Sequence, residues 1–355
     1  MEVCIIGGGL VSLTLAKALI NQGINVDFFS NQKFNKIDKS RTIGISKDNT
    51  DFFNKNILDI KKLLWNIDKI EIYSENLKDE KILDFKNTNQ SLFSIVKNYE
   101  LQKYLILSIK NNKFFKQKKN NQSILNKDYK LIINCDAKNS FTKKYFQKKI
   151  KKNYNSYAYT TILDHKKNLK NNTAIQIFTN KGPLAFLPIS EFKTSIVYSV
   201  RGSKKVDLKS LIKKYNNKYS ITKINQISNF ELSSVNLRKY YYKNIMAFGD
   251  LLHKLHPLAG QGFNMSIRDI KLLIDLIKFR LSHGLDLDNS ICKDFEIKAK
   301  HKNYLFSSGI DFVYEFFNLE SKMNNSILSK SVKFFGKNKF ANKLFTKLGD
   351  KGILV

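Results

Sequence analysis

A carboxylate, a glycine-rich turn and a helical pattern follow one another late in the chain. Asp250 comes after the short apolar run 245–248, which is typical of a strand, and the sequence HPLAGQGFN at 256–264 leads into a long helical pattern. A carboxylate at a strand end can accept hydrogen bonds from a polyhydroxyl ligand, and the amides at a helix start carry partial positive charge. Glycine lets the backbone approach such a ligand closely. The residues that we expect to contact a ligand here are Asp250, Gly260, Gln261, Gly262 and Asn264.

A second glycine-rich turn lies near the beginning of the sequence, where the apolar run 3–6 is followed by three glycines and a helical pattern. Strand, tight turn and helix form the context in which a G-x-G-x-x-G pattern binds a dinucleotide pyrophosphate. Gly7 and Gly9 supply the first two glycines, and Ser12 replaces the third. Ser30 falls at the end of the second strand, where an acidic residue is usual, so we expect a weaker hydrogen bond to a ribose there.

Together the two turns resemble the flavin-binding motifs of the FAD-dependent aromatic hydroxylases, which share the para-hydroxybenzoate hydroxylase fold. The form HPLAGQG at 256–262 is similar in particular to the ubiquinone-biosynthesis hydroxylase family. The resemblance covers residues 1 to about 275 and implies two cofactors: FAD, held by the residues named above, and NAD(P)H, which supplies the electrons.

Three further positions resemble the same family. Arg41 is one of five arginines in a lysine-dominated chain and stands where the family places an arginine near the flavin, a surface salt bridge being the alternative. Asp136 lies in a segment similar to the family's Asp-Gly-x-x-Ser motif, with Ala137 in place of the glycine. If that turn required a positive φ, the alanine would be strained by roughly 1 kcal/mol. By family position Gln102 lies beside the flavin, with a solvated helix face as the alternative.

The sequence GPLAFLP at 182–188 resembles the substrate-domain signature of the family. Its prolines fix φ and disfavour a central position in a sheet, so we expect a rigid edge strand near the flavin, or simply a bend in an edge strand. The predicted substrate-pocket residues are Phe186, Pro188 and Pro257.

The resemblance implies a monooxygenase that hydroxylates the aromatic ring of a polyprenylated phenol, a ubiquinone precursor, through a flavin hydroperoxide formed with O₂. His253 and His256 are weak candidates for a catalytic proton transfer, with orientation of the flavin loop as their alternative role. Two rival interpretations stay open. One is a flavoprotein of the same fold that acts on another aromatic or prenyl substrate, and the other is a non-catalytic paralogue that serves as a subunit of a biosynthetic complex. Other ubiquinone-biosynthesis proteins are candidate partners.

Composition limits the remaining classes. The net charge of +32 comes mainly from scattered lysines, as an AT-rich coding sequence produces, and no module that reads nucleic acid is visible, so we expect no nucleic-acid partner. The charge would still favour contact with an anionic membrane surface. Cys4, Cys135 and Cys292 are too far apart to suggest a disulfide or a metal site. With no secretory signal and no apolar run of transmembrane length, we expect a cytoplasmic protein, able to lie peripherally on the inner face of the membrane.

The pattern of elements predicts an α/β fold: a discontinuous, Rossmann-like FAD-binding domain of the GxGxxG type, an inserted, mostly antiparallel β-sheet substrate domain, and a helical C-terminal segment. The FAD-binding domain is expected over 1–64, 97–150 and 240–300, the substrate domain over 65–96 and 151–239, and the helical segment over 301–355. That last segment is amphipathic, and it either packs on the FAD-binding domain or contacts a membrane or a partner protein.

Overall fold

The computed structural model describes residues 2–30, 38–75, 80–86, 91–118, 127–202, 206–256 and 260–323. The strands are β1 (Glu2–Ile6), β2 (Asn25–Phe29), β3 (Thr42–Ser46), β4 (Trp65–Ile67), β5 (Lys69–Ser74), β6 (Glu80–Lys86), β7 (Phe93–Lys97), β8 (Phe115–Lys118), β9 (Leu131–Asn134), β10 (Lys149–His165), β11 (Thr173–Thr179), β12 (Gly182–Pro188), β13 (Lys193–Arg201), β14 (Ile221–Ile224), β15 (Ser228–Leu237), β16 (Tyr241–Tyr242), β17 (Ile245–Ala247) and β18 (His253–Lys254). The helices are α1 (Leu10–Ile20), α2 (Lys47–Asn56), α3 (Asn98–Ile109), α4 (Ser140–Tyr145), α5 (Leu208–Tyr215), α6 (Gln261–Ser282) and α7 (Asn289–Met323), with single 3₁₀ turns at Lys61–Leu63 and Gly249–Leu251.

A six-stranded sheet in the order β16-β17-β9-β1-β2-β8 forms the first layer, and its strands are parallel except for the β16–β17 pair. The central strand β1 is apolar from Val3 to Ile6, and all four of these side chains are buried. Such a continuous apolar run is what a parallel strand covered on both faces requires. Helices α1 and α6 contribute to the same core, so the sheet, not the loops, fixes the positions of the turns at its carboxyl edge.

A second, nine-stranded sheet is mostly antiparallel and is built around the 17-residue strand β10. We call the side of this sheet covered by α5 the outer face. Leu208, Ile212 and Tyr215 of α5 pack there on alternate residues of the strands. The opposite side, the inner face, meets β3: the Thr42 and Ser195 hydroxyls are hydrogen-bonded at 2.8 Å. The mixed architecture, with a Rossmann-like sheet and an inserted antiparallel sheet, confirms the predicted fold class.

The hairpin predicted within 65–96 forms as β5 and β6, and β5 extends the second sheet by pairing in parallel with β11. The flanking strands β4 and β7 instead join β3 in a small three-stranded sheet between the two large ones. Helix α7 runs without interruption through position 301, and the remainder of the predicted C-terminal segment, 324–355, lies outside the described residues. In the part of the chain that the structure covers, no helix has both the length and the apolar character needed to span a bilayer.

The expectation that 182–188 forms an edge strand is wrong, because β12 lies between β11 and β13. The two prolines are accommodated at its ends. Pro183 is aligned with a residue of β11 only, and Pro188 with a residue of β13 only. Each proline therefore has one neighbouring strand, and its missing N–H can face the open side without removing a ladder hydrogen bond.

Candidate functional site

Four predicted site residues follow strands of the parallel sheet and so lie at its carboxyl edge. Gly7 follows β1, Ser30 follows β2, Asp136 follows β9, and Asp250 follows β17. Because β2, β1, β9 and β17 are consecutive parallel neighbours, their carboxyl ends meet at one edge, which is where open α/β sheets bind ligands. The structure thus brings together residues from opposite ends of the sequence.

The first glycine turn is held by close packing. Gly7 has φ +122°, and a Cβ there would lie 3.2 Å from the Cβ of Cys135, so a side chain at Gly7 would be strained and crowded. The Gln102 side chain, buried on α3, donates to the carbonyl of Gly8 at 3.2 Å. Gln102 therefore fixes the turn from within the protein, and its amide nitrogen is committed to the backbone.

The N-terminus of α1 presents open backbone. Gly9 is the N-cap residue in an extended conformation, and a Cβ built there meets no atom within 4 Å. Ser12 is fully buried and donates its hydroxyl hydrogen to the Gly9 carbonyl at 2.8 Å. The small side chain at the third motif position is thus satisfied inside the helix, while the first amides of α1 face space into which an anion fits.

Asp250 lies in the 3₁₀ turn that follows β17. The turn is set by Gly249, whose φ is +63° and whose Cβ would lie 3.1 Å from the side chain of Val11 on α1. Asp250 is exposed, and among the described residues its carboxylate has no hydrogen-bond or ion-pair partner. Burial, with the charges of Asp250 and Asp136 close by, raises the pKa of the Cys135 thiol. The acceptor is therefore free and lies beside the first turn.

The start of α6 is shaped by a left-handed glycine. Gly260 has φ +65°, and a Cβ there would touch the backbone of Gly44 on β3 at 3.4 Å. At Gly262 a Cβ would meet nothing within 4 Å. The Gln261 side chain accepts from Arg268 at 3.3 Å. The first turn of α6 thus exposes backbone at Gly262 in the same way as α1 does at Gly9.

The Asn264 side chain is committed to the protein, whereas the expectation at this position concerned the backbone amide. Its side chain is buried and accepts from the Ser46 amide at 2.9 Å and from Asn49 at 3.0 Å. Its own amide donates to the Gly44 carbonyl at 3.0 Å. Asn264 therefore joins α6 to β3 and α2, and it supports the ligand-facing turn through the backbone. Sequence reasoning missed Gly44 and Asn49, since neither lies in a glycine-rich or charged motif.

We call the open backbone at Gly9 and Gly262, together with the free carboxylate of Asp250, the cofactor cradle. The elements that carry it are in contact, because Gly249 packs on α1 and α6 packs on both α1 and β3. Two helix starts suit the pyrophosphate and the electron-rich ring edge of FAD, and a free carboxylate suits its ribityl hydroxyls. The residues present fit that cofactor.

Arg41 lies between the cradle and the second sheet. Its guanidinium stacks over the ring of Phe230 at 5.1 Å from the centroid, and it forms no ion pair with any residue that the structure describes. The neighbouring Ser40 and Thr42 hydroxyls bond to the inner face of the second sheet, at Thr160 and Ser195. Burial is outweighed by the hydrogen bonds from Ser40 and the charge of Arg41, which lower the pKa of the Asp38 carboxyl, so an acidic neighbour is present although the two residues form no ion pair.

Asp136 closes its own turn. Its carboxylate accepts from the Lys138 amide at 2.8 Å, and its carbonyl accepts from the Thr142 hydroxyl at 2.7 Å. Ala137 does not have a positive φ, so the strain considered for a glycine replacement is absent. The alanine thus fits this turn without a backbone penalty.

The two candidate histidines are enclosed by protein. His253 is 2% exposed, and its Nε2 donates to the Asp269 carboxylate on α6. His256 lies between the rings of Tyr154 and Tyr314, with centroids at 4.8 Å and 4.2 Å. Burial, with positive charges nearby, lowers the pKa of His256 to about 3, so the ring is neutral. We therefore assign neither histidine a proton transfer to substrate.

Two of the predicted pocket residues, Phe186 and Pro188, lie on the outer face of the second sheet. Phe186 is buried on the outer face, 6.3 Å from the Tyr219 ring, and Pro188 shares that face two residues later. Pro257 lies outside the described residues. The inner face instead carries Ala185 and Leu187, both only partly buried, and Leu187 is paired with the Ser195 that contacts β3. The alternation of β12 could have revealed this, since only every second residue of a strand points to a given face of the sheet.

Comparison with known proteins agrees with this geometry. A family model described as an FAD binding domain matches residues 125–282. The mitochondrial ubiquinone biosynthesis monooxygenase COQ6 of Dictyostelium discoideum is 24% identical over an alignment that covers 94% of this chain and 87% of that protein. The corresponding protein of Schizosaccharomyces pombe is 23% identical over 58% of this chain, and the match spans about half, 53%, of its length.

Among solved structures, the p-nitrophenol 4-monooxygenase PnpA of Pseudomonas putida superimposes with a TM-score of 0.78 at 11% identity, covering 99% of this chain and 98% of the other. At that identity the likeness establishes the fold. The FAD binding domain, the fold and the ubiquinone-pathway relatives agree with the resemblance of this chain to the FAD-dependent aromatic hydroxylases.

Proposed function

We propose that the protein is an FAD-dependent monooxygenase that hydroxylates the aromatic ring of a polyprenylated phenol in ubiquinone biosynthesis, using NAD(P)H and O₂. The observation that carries this proposal is the cofactor cradle, in which two helix starts and the free carboxylate of Asp250 adjoin the same sheet edge. The names of the curated relatives support the substrate class. Bound and reduced FAD would activate O₂, one atom of which enters the ring while the other leaves as water, with NAD(P)H supplying the electrons.

The chain's own residues bind and orient. The Asp250 carboxylate would accept hydrogen bonds from the ribityl hydroxyls, and the α1 amides beside Gly9 would bind the pyrophosphate. The α6 amides beside Gly262 would stabilise negative charge on the flavin ring, because they are fixed in place before that charge develops. Arg41, held over Phe230, adds a positive charge at the boundary with the second sheet.

The inner face is the proposed wall for the substrate. Along β12, Pro183, Ala185 and Leu187 are only partly buried, whereas the residues between them, on the outer face, are buried. Val197 on β13, which is paired with Ala185, is also partly buried. An apolar surface left incompletely covered next to a cofactor site suits an aromatic ring, and filling it would exclude water from the reaction.

A membrane surface is the proposed source of the prenylated substrate. Helix α7 exposes Ile297, Tyr304, Phe312 and Leu319, with exposed fractions of 66%, 47%, 68% and 54%. Their spacing of seven or eight residues places them on one side of the helix, opposite the side where Phe295 packs in the core. Large exposed apolar side chains on a strongly basic chain favour an anionic bilayer.

The first experiment measures flavin binding and turnover in the purified protein. We expect flavin absorption that survives gel filtration, and NAD(P)H oxidation that is stimulated by a prenylated phenol and yields a product heavier by one oxygen atom. NADH and NADPH are compared directly. Failure to bind FAD at about 100 µM, the half-saturation point of a site worth only about 5.5 kcal/mol, would refute the proposal and favour a non-catalytic subunit.

Co-sedimentation with anionic vesicles tests the membrane step. We expect binding that weakens in salt and in the variant Phe312→Ser, whose side chain is exposed, while flavin binding stays unchanged. Equal binding of the variant and the parent would exclude α7 as the contact surface.

A further inference from the structure

A buried polar network joins the two halves of the cofactor cradle. His253, on β18, lies three residues after Asp250 and donates from Nε2 to one oxygen of Asp269 on α6. The other oxygen of Asp269 accepts from the Asn303 side chain of α7 at 3.0 Å. The exposed fractions of His253, Asp269 and Asn303 are 2%, 3% and 7%. Three elements thus meet at one carboxylate.

Such a network is costly unless its members are paired, because a buried carboxylate loses its hydration. Its placement indicates what the pairing achieves. His253 is attached to the turn that carries Asp250, and Asp269 lies two helical turns after Gly262 on the helix that presents the open amides. A bond between His253 and Asp269 therefore holds the carboxylate side and the amide side of the cradle at one separation. Asn303 donates to the Asp269 oxygen that His253 does not contact, and it thereby fixes the orientation of the carboxylate.

We propose that His253, Asp269 and Asn303 are positioning residues for the cofactor, acting through the Asp250 turn and the start of α6 without touching the ligand. This inference rests on the proposed function. At metal sites, removing a residue that orients a ligand commonly changes affinity by roughly 10- to 100-fold, and we expect an effect of the same size here.

The test compares four variants of the full-length protein, with FAD itself as the probe. His253→Leu removes the bond from His253 to Asp269, and Asn303→Ala removes the bond to Asp269 together with a side-chain bond to Tyr240. His253→Gln keeps a donor near the position of Nε2 and serves as the conservative rescue. Ser307→Ala is the matched control, because Ser307 lies one helical turn beyond Asn303 on α7, is fully buried and accepts from Asn236 at 2.9 Å. Each variant is measured for its FAD dissociation constant and its thermal midpoint.

We expect His253→Leu and Asn303→Ala to weaken FAD binding by roughly 10- to 100-fold, His253→Gln to stay within about threefold of the parent, and Ser307→Ala to lower the midpoint while keeping its affinity. Unchanged affinity in the first two variants, or an equal loss in Ser307→Ala, overturns the inference. If His253→Leu does not fold, Asn303→Ala alone decides. Absence of FAD binding in the parent protein would instead overturn the proposed function.

Discussion

The substitution Gly262→Ala tests the cradle without disturbing the fold. At this position a Cβ meets no atom of the described residues within 4 Å, and φ is not positive, so an alanine is accommodated there without strain. Inside a helix the exchange stabilises by roughly 0.4–1 kcal/mol, because it reduces the freedom of the unfolded chain. The free energy of unfolding of the variant should therefore equal or exceed that of the parent.

The same methyl group would occupy the space that we assign to FAD. A lost hydrogen bond from a backbone amide to a charged group costs about 1.5–3 kcal/mol, which corresponds to a dissociation constant raised roughly 10- to 150-fold. We thus expect a protein that is at least as stable and binds its cofactor much less tightly. A substitution that weakened cofactor binding by disturbing the fold would lower stability as well.

Flavin titration and urea unfolding of the same samples provide the assay. Gly309→Ala is the control, since Gly309 lies in the middle of α7 and its Cβ would also meet nothing within 4 Å. It should gain similar stability and keep the affinity of the parent for FAD. If Gly262→Ala binds FAD as tightly as Gly309→Ala does, the start of α6 does not contact the cofactor and the reasoning about the cradle is wrong.

Three other outcomes can be checked. Asp250→Asn should weaken FAD binding by about 10-fold and leave the unfolding free energy within about 0.5 kcal/mol of the parent. Stability should be unaffected because the carboxylate is exposed and unpaired among the described residues. Flavin titration and urea unfolding of the same variant measure the two effects. Gly182→Ala should lower the unfolding free energy by about 3 kcal/mol or more, since φ is +138° and the new Cβ would overlap the Ser199 carbonyl oxygen. Gly202→Ala is the control, because its φ is +68° but its Cβ would lie in open space. Urea unfolding of the two variants therefore separates the effect of backbone strain from that of steric overlap. Burial lowers the pKa of His256 to about 3, so below about pH 6.5 the unfolded chain binds a proton that the folded protein excludes. The stability that this group contributes is therefore present above about pH 6.5 and falls toward acid by up to about 1.4 kcal/mol per pH unit. A His256→Phe variant should show a shallower slope of unfolding free energy against pH between about pH 6 and 4, and an identical slope would contradict the assignment.

The glycine-rich turns were predictable because a backbone that needs a positive φ or a close approach favours glycine, and glycines are visible in the sequence. Gly7, Gly249 and Gly260 all have positive φ, and each lies in a motif that the resemblance had singled out. The position of Asp250 just after a strand also followed from the sequence, and its contact with a cofactor stays a prediction. The motifs do not predict the direction in which a side chain points. The side chains of Asn264 and Gln102 point into the protein and hydrogen-bond to backbone carbonyl groups.

The substrate side was harder to predict. Phe186 is conspicuous in the sequence, yet the alternation of β12 places it against α5, and the neighbouring Leu187 points to the inner face. The central position of β12 was missed because prolines at both strand ends resemble an edge. Networks such as His253–Asp269–Asn303 depend on tertiary contacts between separate elements, and no spacing in the sequence announces them.

The order of strands in the parallel sheet has a consequence for biogenesis. The strand that delivers Asp250, β17, is three residues long and joins the sheet through β9, which in turn pairs with β1 at the beginning of the sequence. Gly9 is made before Asp250, and every strand of the second sheet except β18 lies between them in the sequence. The ligand site cannot be complete until those intervening strands have been synthesised and the chain has returned to β9. Cofactor binding would then indicate that β17 has joined the parallel sheet. A ribosome stalled before residue 250 would hold a nascent chain that lacks both Asp250 and the start of α6.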